Sequence, residues 1–582
     1  MTRRSPSQRW QISPLKPEIT SHLVQITGLS PLIVQAIVNR GIDTPELARV
    51  YLDPETQILP PPLEEFPDLA VSVELLTRAI ATGEKIAICG DYDADGMTST
   101  ALLLRALEHL AANVEYAIPS RMKDGYGINL RIVEEFASTG VGLILTVDNG
   151  ISAWEPIARA VELGMEVIVT DHHDIPEKLP PADAILNPKL LRESSPYRGL
   201  AGVGVAYILA VTAAQKLGRL QGLTESLLQL FTLGTIADLA PLVGVNRRWL
   251  RRGLRLLPQS NLAGVQALMQ MAGVRDGQKK LKPDDIGFRL GPRINAVGRL
   301  ADPQIVIELL TANDRGIALE RAMQCEKINR RRQELCEQIE WEAIALIEKT
   351  PIPWKQARVL VLVQPNWHHG VIGIVASRLV ERYGVPVFIG TYEENDTGRL
   401  RGSARGTEEF HVFQALVSCQ DLLSKFGGHK AAGGFSLAAA HLEAFKGRLS
   451  RFAHQCLQPE HLKPLVKIDA QANFNQLNSR LYRQIDSLHP WGIGNEFPIF
   501  WTPNLRVLEQ QVVGKNHLRL TLAQEDGATI KAIAWRWGDY FPLPPRLDIA
   551  YKLQENHWNG ESAIELELVG ARIPDSILIK NS

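Results

Sequence analysis

Residues 166–173 read EVIVTDHH, a β-branched run that ends on an acid and two adjacent histidines. Val167, Ile168, Val169 and Thr170 favour a strand, and the unbroken apolar run suits one buried inside a parallel sheet. Such a strand ending on three metal donors asks what else reaches the same place. IAIC (86–89) runs into GDYDADG, with Asp91, Asp93 and Asp95, and LILTV (143–147) runs into Asp148-Asn149-Gly150. In open α/β sheets, ligands bind beyond the carboxyl ends of the strands. Three strand ends therefore deliver acids and histidines to one rim.

Between the strands lie helical patterns. MTSTALLLRALEHLAA (97–112) reads as an amphipathic helix, and AWEPIARAVELG (153–164) as one closed by Gly164. This alternation predicts an α/β fold, a parallel sheet with helices on both faces. Further on, GTIADLAPL places Asp238 in an apolar run, where a charge is costly unless paired or bound to metal. The same acid also fits an N-cap or a surface position. The donors are oxygen-rich with imidazole and lack thiolate, which suits Mn²⁺ or Mg²⁺ better than a structural zinc. Five or more such donors exceed the needs of one ion, and two ions ~3.5–4 Å apart would use them all. A lone DxD is equally well a turn with Asx hydrogen bonds. Four such motifs together are not.

The chain has 582 residues, which implies several domains, since single cores rarely grow past about 250–300 residues. Its net charge is −1, so any surface for nucleic acid must be local. Cys89, Cys325, Cys336, Cys419 and Cys456 are scattered without CxxC spacing, which argues against a zinc site or a disulfide framework. The start, MTRRSPSQRWQ, lacks the apolar run of a signal peptide, and no stretch of about 18 apolar residues occurs. A cytoplasmic protein is expected.

Five segments are expected. Residues 1–80 form an N-terminal helical lead, with PLIVQAIVN (31–39) stopped by Gly41. Residues 81–245 hold the parallel-sheet catalytic domain. Residues 246–350 form a helical basic connector carrying NRRWLRRGLR and INRRRQE, with one helical pattern through 315–349. Charge runs of this kind also occur on solvated helix faces. Residues 351–458, opening on ARVLVLV, form a second α/β domain. In 464–575 the short alternating runs HLRLTLAQ, ATIKAIAWRW, RLDIAYKLQ and AIELELVG predict a small β-barrel of the OB-fold type.

Asp171-His172-His173, with GDYDADG before it and GTIADLAPL after it, resembles the DHH phosphoesterase superfamily. Five further motifs sharpen the likeness: LAGVGVAY (200–207), IGFRLGPRINAVGRL (286–300), WHHGVIGIVASRLVERYGVPV (367–387), GSARG (402–406) and FGGHKAAGGF (426–435). Together they resemble the RecJ family of single-strand-specific 5′→3′ DNA exonucleases, from about residue 20 to about residue 570. The resemblance implies a metal-dependent hydrolase. It would cleave phosphodiester bonds of single-stranded DNA from the 5′ end and release 5′-mononucleotides, in DNA repair and recombination. It implies two divalent cations, Mn²⁺ or Mg²⁺, held by Asp93, Asp95, Asp148, His172 and Asp238, with Asp148 between them and Asp91 as a further ligand. Other branches carry a histidine where this chain has Cys89.

By the same resemblance, His173 would stand beside the scissile phosphate and Asp171 would orient a histidine. The second α/β block resembles the DHHA1 domain. Its Ser403 and Arg405, with Arg121, would form the pocket for the 5′-terminal phosphate. Arg293 and Arg299 would meet phosphates further along the strand, and His429 and Lys430 would line the cleft. On the barrel, Lys515, Arg519, Lys531, Trp535 and Trp558 would bind the single strand, although tryptophans on small barrels are commonly core. Implied partners are single-stranded DNA, a single-strand-binding protein and a helicase, with a monomeric chain and no membrane. Two other readings stay open: a DHH phosphoesterase for short oligonucleotides or cyclic dinucleotides, and an inactive single-strand-binding scaffold. The first leaves the barrel and the basic connector unexplained, and the second would predict loss of acids that are all present.

Overall fold

The β-branched runs become strands because each has two faces to bury. Ile86, Ile88, Leu143, Leu145 and Ile168 enter one core, while Ala87, Cys89, Ile144, Val167 and Val169 enter another on the opposite side. We describe the protein from a computed structural model, over residues 5–120, 125–274, 281–349, 352–393, 396–514, 516–558 and 561–574. The chain divides into two units. One comprises Pro54–Glu334 with Pro490–Glu496, the other Met1–Asp53, Leu335–His489 and Phe497–Ser582.

The first unit is built on a five-stranded, wholly parallel sheet. Its order is Asn113–Ala117, Lys85–Cys89, Leu143–Val147, Glu166–Thr170, Ala184–Leu186. Helices Ala94–His109, Gly202–Lys216 and Thr224–Ala237 cover one face, and Leu130–Ser138 and Trp154–Glu162 cover the other. Helix Ala94–His109 differs from its expected span, 97–112, at both ends and in its burial. It starts three residues early, because Asp93 caps it with hydrogen bonds accepted from the amides of Asp95 and Gly96. It is also buried over most of its surface rather than on one stripe, since Thr224–Ala237 and Gly202–Lys216 pack over it.

The basic connector proves less available than its composition implies. On helix Gly244–Leu256, Arg247 is buried and donates to the carbonyl of Pro490. Arg248 and Arg252 both pair with Glu55. Loop residues 490–496 belong here rather than with the barrel, and the amide of Leu242 donates to the carbonyl of Ile493 at 2.7 Å. The pattern through 315–349 is one helix, Arg315–Lys349, with residues up to Glu334 in this unit.

The second unit holds a mixed five-stranded sheet in the order Leu423–Gly428, Ala432–Ala438, Asp396–Arg405, Val387–Glu393, Leu360–Val363. It also holds a closed barrel of five strands, Phe500–Val513, His517–Ala523, Thr529–Ala534, Arg546–Trp558 and Glu561–Arg572. Pairing of Phe500–Val513 with Arg546–Trp558 closes it, and the Thr529–Ala534/Glu561–Arg572 pair is parallel. The first of these strands was not expected. Pro503 and Asn504, at φ 53°, interrupt its alternation with a bulge between Thr502 and Leu505. Residues of the helical lead join this unit too. A short strand, Arg9–Ile12, runs parallel to Leu465–Ile468, and Arg40 donates from Nη2 to both carboxylate oxygens of Asp469, each at 3.0 Å. No single described helix is long and apolar enough to cross a membrane.

Candidate metal centre

Each strand end hands its acid to a defined place. Asp95 sits in the first turn of helix Ala94–His109 and is fully buried. Both of its oxygens accept from the amides that open helix Gly202–Lys216, at 2.7 Å from Gly202 and 2.8 Å from Val203. That approach needs a glycine, because a Cβ at Gly202 would lie 2.8 Å from Asp148 Cβ and 3.0 Å from Asp95 Oδ2. Asp148 follows strand Leu143–Val147 with φ 61°, a left-handed backbone rare outside glycine. It too is buried, and its Oδ1 lies 3.1 Å from His172 Nε2. That oxygen has no hydrogen-bond partner among the described residues. Asp238 caps the carboxyl end of helix Thr224–Ala237 and lies 3.9 Å from the same His172 nitrogen.

Asp171 differs in kind from the other acids. Its Oδ1 accepts from the amides of His172 (2.7 Å) and His173 (3.1 Å) and from His173 Nδ1 (2.7 Å). Its Oδ2 accepts from the amide of Ile151 at 2.9 Å. Both oxygens are therefore engaged inside the protein, and the group orients His173. Three sets have donor atoms within 4.8 Å of one another: Asp148/His172/His173, Asp95/His172/Asp238 and Asp91/Asp93/Asp148. Asp148 and His172 each belong to two sets. Hard oxygen donors with imidazole, several of them dry, fit divalent cations of the Mn²⁺ or Mg²⁺ kind.

The electrostatics agree. Burial, and then the charge of Asp93, raise Asp95 to about 7. Burial and the neighbouring carboxylates likewise hold Asp148 and Asp238 well above the usual range. Carboxyls gathered this closely in a dry pocket either keep protons or share a cation, and a divalent ion would meet their charge. Burial lowers His172 to about 4, which keeps its imidazole neutral and able to ligate. Burial would also lower His173, but the bond to Asp171 and the surrounding carboxylates raise it to about 9. Asp171 is pulled down to about 2 against its burial, chiefly by the bond from His173.

A cavity of about 280 Å³ is lined by Asp91, Asp93, Asp95 and Asp238. Asn295 and Arg299, from helix Gly291–Leu300, line it, and Asn295 Oδ1 accepts from the amide of Ala94 at 3.0 Å. Arg293, on the same helix, is directed elsewhere. Its guanidinium pairs with Glu326 at 2.8 Å and donates to the carbonyl of Arg289 at 2.5 Å. Tyr92 and Tyr126 also line the cavity, and sequence reasoning passed over both. The signal for Tyr126 was GYG, an aromatic held between two glycines in a loop on the ligand-bearing rim of the sheet.

In the second unit, Ser403 and Arg405 gather at the start of helix His369–Tyr383. A Cβ at Gly373 would meet Arg405 Nη2 at 3.0 Å and Ser403 Oγ at 3.3 Å. His429 and Lys430 are exposed on the adjoining hairpin turn, where the amide of Gly406 donates to the carbonyl of Ala431. On the barrel, Arg519, Lys531 and Trp535 are exposed. Trp535, at 50% exposure, is not core, and its ring meets His517 at 4.9 Å. Lys531 sits level with Glu565 and Thr521, and Thr521 donates to Glu509, so this face carries both signs. Arg121, Lys515 and the side chain of Trp558 lie outside the described residues.

A parallel sheet whose strand ends collect aspartates and a His-His pair around a cation pocket is the catalytic half of a DHH phosphoesterase. The sequence matches the DHH family N-terminal domain over residues 85–235, the DHHA1 domain over 356–455 and the RecJ OB domain over 468–570. It is 37% identical over 517 residues to the single-stranded-DNA-specific exonuclease RecJ of Haemophilus influenzae, covering 85% of this chain and 89% of that one. Its structure superposes on RecJ of Thermus thermophilus in complex with Mn²⁺, with a TM-score of 0.82 at 32% identity over 97% of this chain and 80% of that one. For the same protein in complex with Mg²⁺ the TM-score is 0.77 at 30% identity, over 97% and 79%. The chain belongs to the RecJ family of single-stranded-DNA-specific exonucleases.

Proposed function

We propose that this chain is a metal-dependent exonuclease that degrades single-stranded DNA from its 5′ end and releases 5′-mononucleotides, in DNA repair and recombination. The observation that carries the reading is the pair of donor clusters Asp95/His172/Asp238 and Asp148/His172/His173, joined through His172, in a chain of the RecJ family. Two divalent cations, Mn²⁺ or Mg²⁺, would supply Lewis acidity at the phosphoryl group and lower the pKa of water. Asp93, Asp95, Asp148, His172 and Asp238 would hold them, with Asp91 as a further donor, and Asp148 belongs to two of the donor clusters. His173, its Nδ1–H held by Asp171, turns Nε2 toward the scissile phosphate, where it stabilises charge and gives a proton to the leaving 3′ oxygen.

Arg299 meets the phosphate backbone at the cavity. Ser403 and Arg405 are proposed to take the 5′-terminal phosphate, with His429 and Lys430 on the adjoining turn, and Arg121 is a further proposed phosphate contact. Arg519, Lys531 and Trp535 offer cations and an exposed ring to a strand, as OB-folds do, and Lys515 and Trp558 are proposed to join them. Phosphate contacts carry no base information, so the enzyme should be indifferent to sequence. An enzyme confined to single strands needs them opened and kept open, which fits a helicase and a single-strand-binding protein as partners of a monomeric, cytoplasmic chain. The division proposed is 1–80, 81–245, 246–350, 351–458 and 464–575.

Asp148→Ala should abolish release of nucleotides from 5′-labelled single-stranded DNA in Mn²⁺, a loss of at least about a hundredfold. Binding of the strand should persist, measured by fluorescence anisotropy. Undiminished hydrolysis by that variant overturns the reading.

A further inference from the structure

Tyr126 lies in the loop between strand Asn113–Ala117 and helix Leu130–Ser138, flanked by Gly125 at φ 89° and Gly127 at φ 69°. Both glycines adopt a backbone that other residues rarely take. A Cβ at Gly127 would also stand 3.1 Å from that of Asn149, whose Oδ1 accepts from the amide of Ile128. The loop is thereby fixed against the turn that follows Asp148. The phenol oxygen donates to the backbone carbonyl of Asp148 at 2.6 Å. The same oxygen lies 3.1 Å from Nδ1 and 3.4 Å from Nε2 of His173, and the two rings meet edge to face at 5.5 Å.

His173 needs such a support. Its side chain is 45% exposed, and its one strong anchor is the 2.7 Å bond from Nδ1 to Asp171. A single hydrogen bond fixes where that nitrogen sits but leaves the ring free to tilt about it. The phenol proton is taken by the carbonyl of Asp148, so the oxygen turns its lone pairs toward the imidazole. It provides the second point that sets the tilt.

We propose that Tyr126 is a positioning residue, whose hydroxyl, anchored on the Asp148 carbonyl, holds the His173 ring with Nε2 toward the reacting phosphate. The inference rests on the role given to His173 above. Removing the hydroxyl while keeping the ring should slow the chemical step and leave the binding of metal and strand as they were.

The test uses the full-length, Mn²⁺-loaded protein with a 5′-phosphorylated single-stranded oligonucleotide, in four forms: wild type, Tyr126→Phe, His173→Ala and the double variant. For Tyr126→Phe we expect kcat to fall about tenfold to thirtyfold, as the ring loses the polar contact that sets its tilt. KM, the Mn²⁺ affinity by calorimetry and the melting temperature should stay at wild-type values. In the His173→Ala background, Tyr126→Phe should change kcat less than about twofold, because the group it positions is gone. Four outcomes overturn the proposal: wild-type kcat in Tyr126→Phe, a rise in KM at constant kcat, weakened Mn²⁺ binding, or a full additive loss in the double variant. Unimpaired hydrolysis by His173→Ala instead overturns the role of His173 itself, so the two failures are distinguishable.

Discussion

At the scale of single residues, one group of carboxylates does two kinds of work. Asp171 has every oxygen engaged by amides and an imidazole, while Asp148 keeps a buried oxygen open toward His172. Strand ends and motifs told us which acids meet. They could not separate orienter from ligand, because that depends on which backbone amides face each oxygen. Arg293 and Arg299 show the same limit, six residues apart on one helix, one paired with Glu326 and the other at the cavity. The raised Asp95 leads to a prediction about pH. A carboxyl held at about 7 in the folded chain binds its proton more tightly than in the unfolded one. Its contribution to stability is then full below the ordinary carboxylate value and is lost as pH rises toward about 7. The cation-free protein should melt at a lower temperature at about pH 8 than at about pH 5. Mn²⁺ binds the charged carboxylates, so the rise in melting temperature it gives should be larger at the higher pH. Calorimetric scans at both pH values, with and without Mn²⁺, measure this, and an equal rise at both counts against it.

At the scale of elements, the parallel strands were legible because burial on two faces leaves an unmistakable β-branched run. Four of the five barrel strands were legible because alternation survives in HLRLTLAQ, ATIKAIAWRW, RLDIAYKLQ and AIELELVG. Phe500–Val513 was hidden because a Pro-Asn bulge imitates a turn. Helix Ala94–His109 was misplaced at its start because Asp93 reads as a ligand and is also a cap. Helix Gly291–Leu300, which carries Asn295 and Arg299 to the cavity, is tied to helix Arg315–Lys349 by Arg293 and Glu326, both largely buried. Glu326→Ala would leave Arg293 charged, buried and unpaired. It should cost about 3 kcal/mol in the unfolding of this unit, read as a lower urea midpoint of its transition. An unchanged midpoint would mean that Arg293 finds another partner or the solvent.

At the scale of the whole molecule, the order of motifs along the chain was enough to read the family. Which segments share a unit was not, because contacts between residues more than 400 positions apart leave no local pattern. Arg9–Ile12 pairs with Leu465–Ile468, and Trp10 meets Trp501 edge to face at 6.0 Å with the Arg572 guanidinium over its ring at 4.6 Å. Removing residues 1–13 should therefore abolish amide-exchange protection along Leu465–Ile468. The Mn²⁺ affinity should stay the same, since the donor residues lie in the other unit. Hydrogen exchange and calorimetry on the shortened chain check both statements.

The seven residues Pro490–Glu496, which complete the catalytic unit, have a consequence for synthesis. Arg247 is buried with its guanidinium on the carbonyl of Pro490, a group the ribosome supplies only after all of Leu335–His489 has been made. At the usual pace of translation that is a wait on the order of ten seconds. During it the nascent sheet already carries its aspartates and histidines, while the helix that bears Arg247 lacks its last partner. The nuclease is thus finished late, when most of the chain has left the ribosome.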